Sequence, residues 1–281
     1  MSQLYRIAPE GDAALVVRFG DAIDPRLIAL VRAARTRLVA AQLPGVTEII
    51  GAYCTLMVCY DPLDLSYSEL SAQIGACLHD LSATDAAPGR VVEIPVCYGG
   101  QELGPDLEDV AAHAGLAPAD VVRLHTAGRY QVCMLGFLPG FAYLTGLDPR
   151  LETPRLAVPR TRVDAGAVGI GGAQAGLYPL ASPGGWRIIG RTPARLYRPE
   201  QAEPIPYAPG DELRFYEVDR ATYDAMVQRV ACGEDVLTVR ERCSEGSEAL
   251  SAGVCGKAPE TRACTGTDAP LARIPDSEGR H

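Results

Sequence analysis

The most informative part of this sequence runs from Thr153 to Thr192 and is TPRLAVPRTRVDAGAVGIGGAQAGLYPLASPGGWRIIGRT. Its apolar runs are short, and glycine or proline interrupts each one before a helical period can develop. The same pattern extends from Tyr130 to Tyr216, through runs such as QVCMLGF and ELRFYEV. Short strands separated by turn residues are typical of a compact β-barrel or β-sandwich. The sequence therefore predicts a β-rich domain here.

The N-terminal part of the chain has a different pattern. Residues Pro25–Ala41 have the apolar spacing of an amphipathic helix that opens with proline, and Ser66 and Glu69 have the spacing of a capping box before a second helix. Ala14–Gly20 predicts one strand, and Val46–Asp61 predicts two. The resulting order, β-α-β-β-α, predicts a small α+β domain.

A polar segment, SATDAAPGR at Ser82–Arg90, has the composition of a linker between two domains. We therefore expect an N-terminal α+β domain at 1–88 and a β-barrel domain at 89–228. Large apolar residues become sparse after the barrel, so residues 229–281 are predicted to form a disordered tail.

Composition excludes several classes of function. The net charge of −9 argues against nucleic acid as the main partner. We find neither a long apolar segment nor a secretory signal, so we expect no membrane partner and a cytoplasmic location. The single lysine, Lys257, lies in the predicted tail, which disfavours P-loop and Schiff-base chemistry in the folded part. The cysteines lack metal-ligand spacing, so we expect reduced thiols and no metal site.

Positive charge is concentrated in one region of this acidic chain. Between Arg150 and Arg198 the sequence has eight arginines and only two acidic residues. A guanidinium group binds a planar anion through two parallel hydrogen bonds, and nearby glycines allow a ligand to approach the backbone. Arg160, Arg187 and Arg191 are the candidate anion-binding residues. The alternative for each is a solvated arginine on a strand.

Aromatic residues suggest a ligand site beside these cations. The segment GFLPGFAYL places Phe137, Phe141 and Tyr143 around a turn that contains proline and glycine. These rings predict either one wall of a ligand cleft or a cap over the end of the barrel. Trp186, the only tryptophan, follows Gly184 and Gly185, and it predicts either the rim of the cleft or part of the barrel core.

Glycines offer a second kind of binding group, because exposed backbone amides can bind phosphate. Gly169, Gly171 and Gly172 form the segment GIGGAQAG, and Gly184 and Gly185 follow. We treat these five glycines as candidate cofactor-binding positions. The segment matches neither a Walker A motif nor a dinucleotide fingerprint, so the motif alone is weak.

Three segments together carry a family resemblance: GFLPGFAYL, the run from Thr153 to Thr192, and PGDELRFYEV. They resemble the allophanate-hydrolase subunit 1 family, also called carboxyltransferase subdomains C and D, over about residues 3–220. Its members include the B subunits of 5-oxoprolinases and a sporulation-kinase inhibitor. The resemblance implies an α+β fold, with a small N-terminal α+β sandwich domain followed by a cyclophilin-like β-barrel. One departure is Asp164, where family members more often have proline.

The resemblance also implies a function. It implies a non-autonomous subunit of an ATP-dependent 5-oxoprolinase, which opens 5-oxo-L-proline to L-glutamate together with C-like and A-like partner subunits. ATP would bind at a composite site or on a partner, and the substrate would be a small anionic amide. Arg160 and Arg191 would neutralise charge, and Gln174 would bind an amide or carboxylate. His125, which ends a short predicted helix, would carry a proton, or would be a satisfied helix-end residue.

Two alternatives to a role in 5-oxoprolinase stay open on the sequence. The chain could inhibit a sensor histidine kinase as a binding module, which requires an exposed apolar patch but no catalytic residues. It could instead belong to a urea-carboxylase or allophanate-type complex, whose biotin would be attached to another chain.

Overall fold

The structure is a computed structural model, and it describes residues 4–86 and 88–242. Its N-terminal part is a four-stranded antiparallel sheet with two helices packed on one face. In chain order the elements are β1 (Arg6–Pro9), β2 (Ala14–Arg18), α1 (Pro25–Ala41), β3 (Val46–Gly51), β4 (Thr55–Tyr60) and α2 (Tyr67–Cys77). The strand order across the sheet is β1-β2-β4-β3. This arrangement confirms the predicted α+β class and adds one strand, β1, that the sequence pattern did not indicate.

Local sequence signals position both of these helices. The side chain of Asp24 accepts a hydrogen bond from the backbone N–H of Arg26, at the start of α1. The predicted capping box opens α2: the N–H of Glu69 donates to Ser66 Oγ, and the N–H of Ser66 donates to Glu69 Oε2. The helices pack against alternate residues of β2 and β4, which are fully buried on that face: Leu15, Val17, Leu56 and Val58.

The second part of the described chain is a closed barrel with accessory helices. Its elements are β5 (Arg90–Tyr98), α3 (Gly100–Leu103), α4 (Leu107–Ala114), α5 (Pro118–Ala127), β6 (Tyr130–Leu135), β7 (Ala142–Thr145), β8 (Arg160–Val163), β9 (Ala167–Gly171), β10 (Gln174–Leu177), β11 (Ser182–Gly184), β12 (Arg187–Arg191), β13 (Glu212–Glu217), α6 (Arg220–Ala231) and β14 (Thr238–Glu241). Short 3-10 helices lie at Ala83–Asp85 and Pro149–Leu151.

Seven of these described strands form the ring β12-β9-β10-β7-β6-β13-β5, and pairing of β5 with β12 closes it. Neighbouring strands are antiparallel except for β13 and β5, which are parallel. Strands β8 and β11 form a separate two-stranded ribbon, which is antiparallel. The closed ring confirms the predicted barrel.

Strand β9 is buried on both of its faces. On β9, Val168 and Ile170 point inward to the main barrel core, which also includes residues of α4 and α5. The alternating positions of β9, together with those of β7 and β10, point outward. Outside the barrel, a second apolar cluster forms around Phe141, Tyr178 and Trp186. The candidate site lies in this outer cluster.

The chain after the barrel differs from the prediction of a disordered tail at 229–281. Helix α6 continues to Ala231, and β14 pairs with β5, with Val239 opposite Val92. The prediction is therefore wrong for 229–242, because backbone pairing to an existing strand orders a segment that composition alone marks as disordered. The remaining residues, 243–281, lie outside the described part of the chain.

The N-terminal unit and the barrel have separate hydrophobic cores. The domain boundary near residue 88 stays a prediction. No helix within the described residues is both long enough and apolar enough to cross a membrane.

Candidate functional site: an aromatic pocket on the outer face of the barrel

A pocket of about 320 Å³ opens in the outer aromatic cluster. We call it the aromatic pocket, and its lining residues are Phe137, Phe141, Tyr143, Arg155, Pro159, Tyr178, Pro183, Gly184, Gly185 and Trp186. It brings together six of the residues that the sequence nominated, which are Phe137, Phe141, Tyr143, Gly184, Gly185 and Trp186. Its volume is at the small end of the range for ligand sites, so it suits a small molecule.

Trp186 forms the floor of the pocket, and glycines make room for it. Its side chain is only 5% exposed, and its ring lies against the outward face of β9 and β10. A Cβ atom at Gly171 or at Gly176 would lie 2.7 Å from the indole ring. Any larger residue would displace the ring. Trp186 is therefore both a buried packing residue and a surface of the pocket.

This packing contradicts the predicted cofactor-binding role of two glycines. Gly169 and Gly171 are buried, and the Trp186 side chain occupies the space beside them. Gly172 forms the turn between β9 and β10, where its N–H donates to the carbonyl oxygen of Thr153. Because a phosphate cradle needs free amides facing solvent, this segment does not fit one. Gly184 and Gly185 do line the pocket, although beside aromatic rings.

The aromatic rings hold one another in edge-to-face contacts. Phe141 lies 5.5 Å from the Trp186 ring and 5.0 Å from the Tyr178 ring, with both pairs close to perpendicular. Tyr143 also meets the Phe141 ring, at 4.9 Å. Such contacts favour one fixed arrangement of rings beyond the effect of burial alone. The walls of the pocket are therefore preformed.

Phe137, at the pocket mouth, has an unusual backbone conformation. Its φ is +68°, and the N–H of Leu138 donates to the carbonyl oxygen of Gly136 at 2.8 Å, which makes a γ-turn centred on Phe137. This form of γ-turn is rare and strained for a residue with a side chain. The ring is nevertheless 64% exposed. Backbone strain that presents an exposed aromatic ring is typical of a binding site.

Arg155 is the cation of the pocket, and the sequence analysis missed it. Its guanidinium carbon lies 5.3 Å from the centroid of the Trp186 ring, which is a cation–π contact. One signal could have identified it. The run from Thr153 to Thr192 contains two Pro-Arg pairs, Pro154-Arg155 and Pro159-Arg160, and only the arginine of the second pair was chosen.

The three arginines that the sequence nominated lie outside the lining and bind carboxylates of the protein. Arg160 Nη2 donates to Asp106 at 2.6 Å, Arg187 Nη1 to Asp109 at 2.9 Å and Arg191 Nη2 to Asp164 at 2.9 Å. Each of the three therefore already has a carboxylate partner in the protein, and Arg191 shares its partner with Arg162. Within the described residues, Arg160 Nη1 and Arg191 Nε are buried without a hydrogen-bond partner.

Asp164, the departure from the family pattern, contacts two arginines. Arg162 and Arg191 both donate hydrogen bonds to it, and these bonds hold the pKa of its carboxyl group below the usual value. Asp164 therefore stays ionised, and its negative charge compensates Arg191. This ion pair argues against the predicted role of Arg191 in neutralising a substrate.

His125 lies in the interior, away from the aromatic pocket. Its ring is fully buried between Tyr130 and Phe215, and a hydrogen bond of 2.8 Å joins Nδ1 to the hydroxyl of Tyr98. Burial lowers the pKa of His125 to about 3, because the charged form has lost its hydration. A neutral, inaccessible imidazole cannot exchange protons with a substrate at neutral pH, so the prediction of a proton carrier is wrong. The alternative of a helix-end residue in the core fits in part: Nδ1 is hydrogen-bonded, whereas Nε2 is buried without a hydrogen-bond partner among the described residues.

Gln174 contacts the N-terminal unit instead of lining the pocket. Its Nε2 donates a hydrogen bond of 2.8 Å to the hydroxyl of Tyr53, which follows β3. The Tyr53 ring also lies 6.2 Å from the ring of Tyr143, a pocket residue. The predicted ligand contact of Gln174 is thus replaced by a contact that supports the pocket wall from behind.

The lining has binding groups but no acid–base pair. It contains no carboxylate, histidine, cysteine or lysine. Burial raises the pKa of its Tyr178 hydroxyl, which keeps that group neutral at physiological pH. No cluster of three potential ligands for a metal ion occurs in the part of the chain that the structure describes. The pocket can therefore hold and orient a ligand, and the chemical step needs groups from elsewhere.

Comparisons with known proteins agree with this architecture. A family model described as "Carboxyltransferase domain, subdomain C and D" matches residues 5–207. A Bacillus subtilis protein named as the B subunit of 5-oxoprolinase is 39% identical over 235 residues, which cover 80% of this chain and 98% of that protein. The Escherichia coli O157:H7 protein of the same name is 56% identical over 126 residues, or 45% of this chain and 57% of that protein.

Solved structures are also similar to this chain. The crystal structure of TTHA0988 has a TM-score of 0.66 at 37% identity, and the match covers 73% of this chain and 40% of that one. The Kluyveromyces lactis urea carboxylase has a TM-score of 0.68 at 18% identity over 86% of this chain and 24% of that one, a likeness of fold alone. This chain thus corresponds to only part of both proteins. Since the family model matches well over half of its residues, the chain belongs to the family of carboxyltransferase domains, subdomains C and D.

Proposed function

We propose that this chain is a non-autonomous subunit of an ATP-dependent 5-oxoprolinase, which opens 5-oxo-L-proline to L-glutamate. The observation that carries the proposal is the match to 98% of the length of the Bacillus subtilis 5-oxoprolinase B subunit. The aromatic pocket supports it, because a volume of about 320 Å³ accommodates a five-membered lactam ring. In this proposal the pocket binds the substrate, in the cytoplasm.

The composition of the pocket supports a dependence on partners. Opening an unactivated lactam requires a nucleophile, proton transfer and stabilisation of negative charge on the carbonyl oxygen. The lining residues supply one cation, Arg155, and the hydroxyls of Tyr143 and Tyr178. The C-like and A-like partner subunits of the complex would supply the remaining groups, so this chain alone should be inactive.

ATP belongs on a partner or at a composite site in this proposal. The glycine-rich segment between Gly169 and Gly172 does not fit a triphosphate, because Trp186 occupies one side of it and Thr153 binds the amide of Gly172. The aromatic pocket offers only one cation for a polyphosphate. ATP would supply the energy for activating the amide, water would be the nucleophile that completes the hydrolysis, and this chain would orient the lactam.

The test is reconstitution. Release of glutamate and phosphate from 5-oxo-L-proline and ATP is measured with this chain alone, with the C-like and A-like partners alone, and with all of them together. We expect turnover only in the complete mixture. Equal turnover without this chain, or a stable complex without turnover, would contradict the proposal. The second result would favour another amide, as in a urea-carboxylase or allophanate-type complex.

One observation favours a second candidate function, the inhibition of a sensor histidine kinase. Phe137, a lining residue of the pocket, is 64% exposed, and Val158, which precedes the lining residue Pro159, is 81% exposed, so both offer apolar surface to a partner. A protein-binding role predicts that replacing Val158 by Asp lowers affinity for a kinase without changing reconstituted 5-oxoprolinase turnover. Loss of turnover with unchanged kinase binding would exclude this candidate.

A further inference from the structure

The arginine-rich region supplies fewer available cations than its sequence suggests. Seven of its eight arginines form an ion pair with a carboxylate of the described chain. The pairs are Arg150–Asp148, Arg160–Asp106, Arg162–Asp164, Arg187–Asp109, Arg191–Asp164, Arg195–Glu200 and Arg198–Asp235. Most of these partners lie outside the arginine-rich region, so the sequence count of local charge could not reveal the compensation. The remaining arginine is Arg155.

Arg155 has no ion pair and no hydrogen bond within residues 4–86 and 88–242, and its contact there is with the ring of Trp186. A cation–π contact uses the positive charge and leaves the N–H groups available, and a guanidinium group has five of them. These donors suit a carboxylate, which can accept two parallel hydrogen bonds. Arg155 is thus charged, exposed and unsatisfied at the edge of a preformed pocket.

The other lining residues define the rest of the ligand. Trp186, Phe141 and Tyr178 offer ring surfaces, and no carboxylate of the protein lines the pocket. One guanidinium group balances a single negative charge, so a monoanion fits better than a phosphate dianion or a polyphosphate. A flat or cyclic body packs against rings better than a flexible polar chain does. The small volume excludes large ligands.

We propose that Arg155 is the anion-recognition residue of the aromatic pocket, and that the pocket selects small cyclic monocarboxylates whose ring lies against Trp186. This inference rests on the proposed function, because it assigns the carboxylate contact for the substrate of the complex. It differs from the sequence-based assignment, in which Arg160, Arg187 and Arg191 had that role. The specificity determinant is the one arginine of the region that forms no ion pair with the described residues.

The single tryptophan makes the test direct, since its emission reports on the pocket itself. The full-length chain is titrated with 5-oxo-L-proline, with 2-pyrrolidinone, which has the lactam ring without the carboxylate, and with cyclopentanecarboxylate, which has the carboxylate without the lactam. Each titration is repeated by calorimetry, because removing a cation beside the indole changes the emission on its own. The variants are Arg155→Gln and Arg155→Lys. Arg150→Gln is the matched control, since it removes an exposed, ion-paired arginine of the same region.

We expect both carboxylates to bind at least about tenfold more tightly than 2-pyrrolidinone, because a hydrogen bond to a charged group contributes about 1.5–3 kcal/mol. Arg155→Gln should abolish this preference, whereas Arg155→Lys should retain part of it. Arg150→Gln should bind all three ligands like the wild type. In the reconstituted complex, Arg155→Gln should raise KM for 5-oxo-L-proline more than it lowers kcat.

Three results overturn the inference: saturable binding of 5-oxo-L-proline and 2-pyrrolidinone with equal affinity, an unchanged preference in Arg155→Gln, or no saturable binding of either carboxylate. Other results distinguish failure of this inference from failure of the proposed function. Binding of cyclopentanecarboxylate that depends on Arg155, without binding of 5-oxo-L-proline, supports the inference and contradicts the proposed substrate. Conversely, reconstituted turnover that is unaffected by Arg155→Gln supports the 5-oxoprolinase function and overturns the role of Arg155.

Discussion

Two aromatic clusters of the barrel can be compared, because each holds one nitrogen-containing side chain against its rings. The outer cluster holds an arginine, and the inner cluster holds a histidine. In the aromatic pocket, Arg155 lies over Trp186 and is exposed to solvent. In the interior, His125 lies between Tyr130 and Phe215 with no exposed surface. The outer cluster carries a permanent charge because a guanidinium group does not lose its proton in proteins. The inner cluster holds the imidazole neutral, with a pKa of about 3, because water does not reach it.

This difference shows that residue type alone does not decide which ionisable group can act on a ligand, because the group must also be accessible to that ligand. Histidine is the usual candidate for acid–base chemistry, and the sequence analysis selected it for that reason. Here its nitrogen atoms face rings and one tyrosine hydroxyl, so it stabilises the core. Arginine in a loop attracts less attention, yet Arg155 has the geometry of a recognition residue.

The largest expected effect separates the two clusters by function. Replacing Trp186 by Ala should lower the free energy of unfolding by about 3–5 kcal/mol and also abolish ligand binding, because the ring is both packing and pocket floor. Replacing Phe215, which is 2% exposed in the inner cluster, by Ala should cost about the same stability without changing affinity. Urea unfolding measures the first quantity and calorimetry with 5-oxo-L-proline the second.

A milder variant is needed as a control, because Trp186→Ala could lose binding simply by unfolding. Trp186→Phe should retain most of the stability and lose part of the affinity, since a smaller ring leaves space in the floor. If Phe215→Ala weakened binding as much as Trp186→Ala did, the two clusters would not be functionally distinct.

The second prediction concerns pH and the inner cluster. The unfolded chain protonates His125 near pH 6.5, but the folded protein does so only near pH 3. The free energy of unfolding is therefore not reduced by His125 above pH 6.5. It falls as the pH is lowered from 6.5 towards 3, and the reduction is about 2 kcal/mol at pH 5. Urea unfolding at pH 7 and at pH 5 measures this reduction. In His125→Gln, the difference between the two free energies of unfolding should be smaller than in the wild type by about 2 kcal/mol.

His113 provides the control for this measurement, because it is an exposed histidine on α4. His113→Gln should leave the difference in stability between pH 7 and pH 5 as in the wild type. A His125→Gln protein that loses as much stability as the wild type between these pH values would show that the buried imidazole titrates normally. The distinction between the two clusters would then fail.

The smallest expected effect tests the strained mouth of the pocket. At most positions, a protein with glycine is less stable than the same protein with alanine. The left-handed region of backbone conformation is the exception, and Phe137 lies in it with a φ of +68°. Phe137→Gly should therefore be more stable than Phe137→Ala, by about 1 kcal/mol in urea unfolding, because glycine relieves the strain. Both variants should bind the ligand more weakly than the wild type. Alanine equal to or better than glycine would show that the turn is unstrained.

Much of the fold could be predicted from local patterns. Helix α1 has the predicted bounds, and the capping box at Ser66 and Glu69 opens α2 as expected. Strand β14 could not be predicted, because its order comes from pairing with β5, which is far away in the chain. Within the site, the aromatic residues were predicted because rings on a turn with proline and glycine need other groups to cover them. Arg155 was missed because its Pro-Arg pair looks like that of Arg160 in the sequence, and only the tertiary structure shows which of the two arginines is ion-paired.

The sequence by itself determined the class of fold, the family and the aromatic composition of the site, because periodicity, turn residues and long specific motifs are local properties. Only the tertiary structure decided which charges are available. Asp106 and Asp109 reach Arg160 and Arg187 across long stretches of chain, while Gly171 and Gly176 close around Trp186 from two neighbouring strands. Ion pairing and burial depend on distances in space. Counting arginines and histidines along the sequence therefore cannot distinguish Arg155 from the ion-paired arginines near it, and it cannot show that His125 is fully buried.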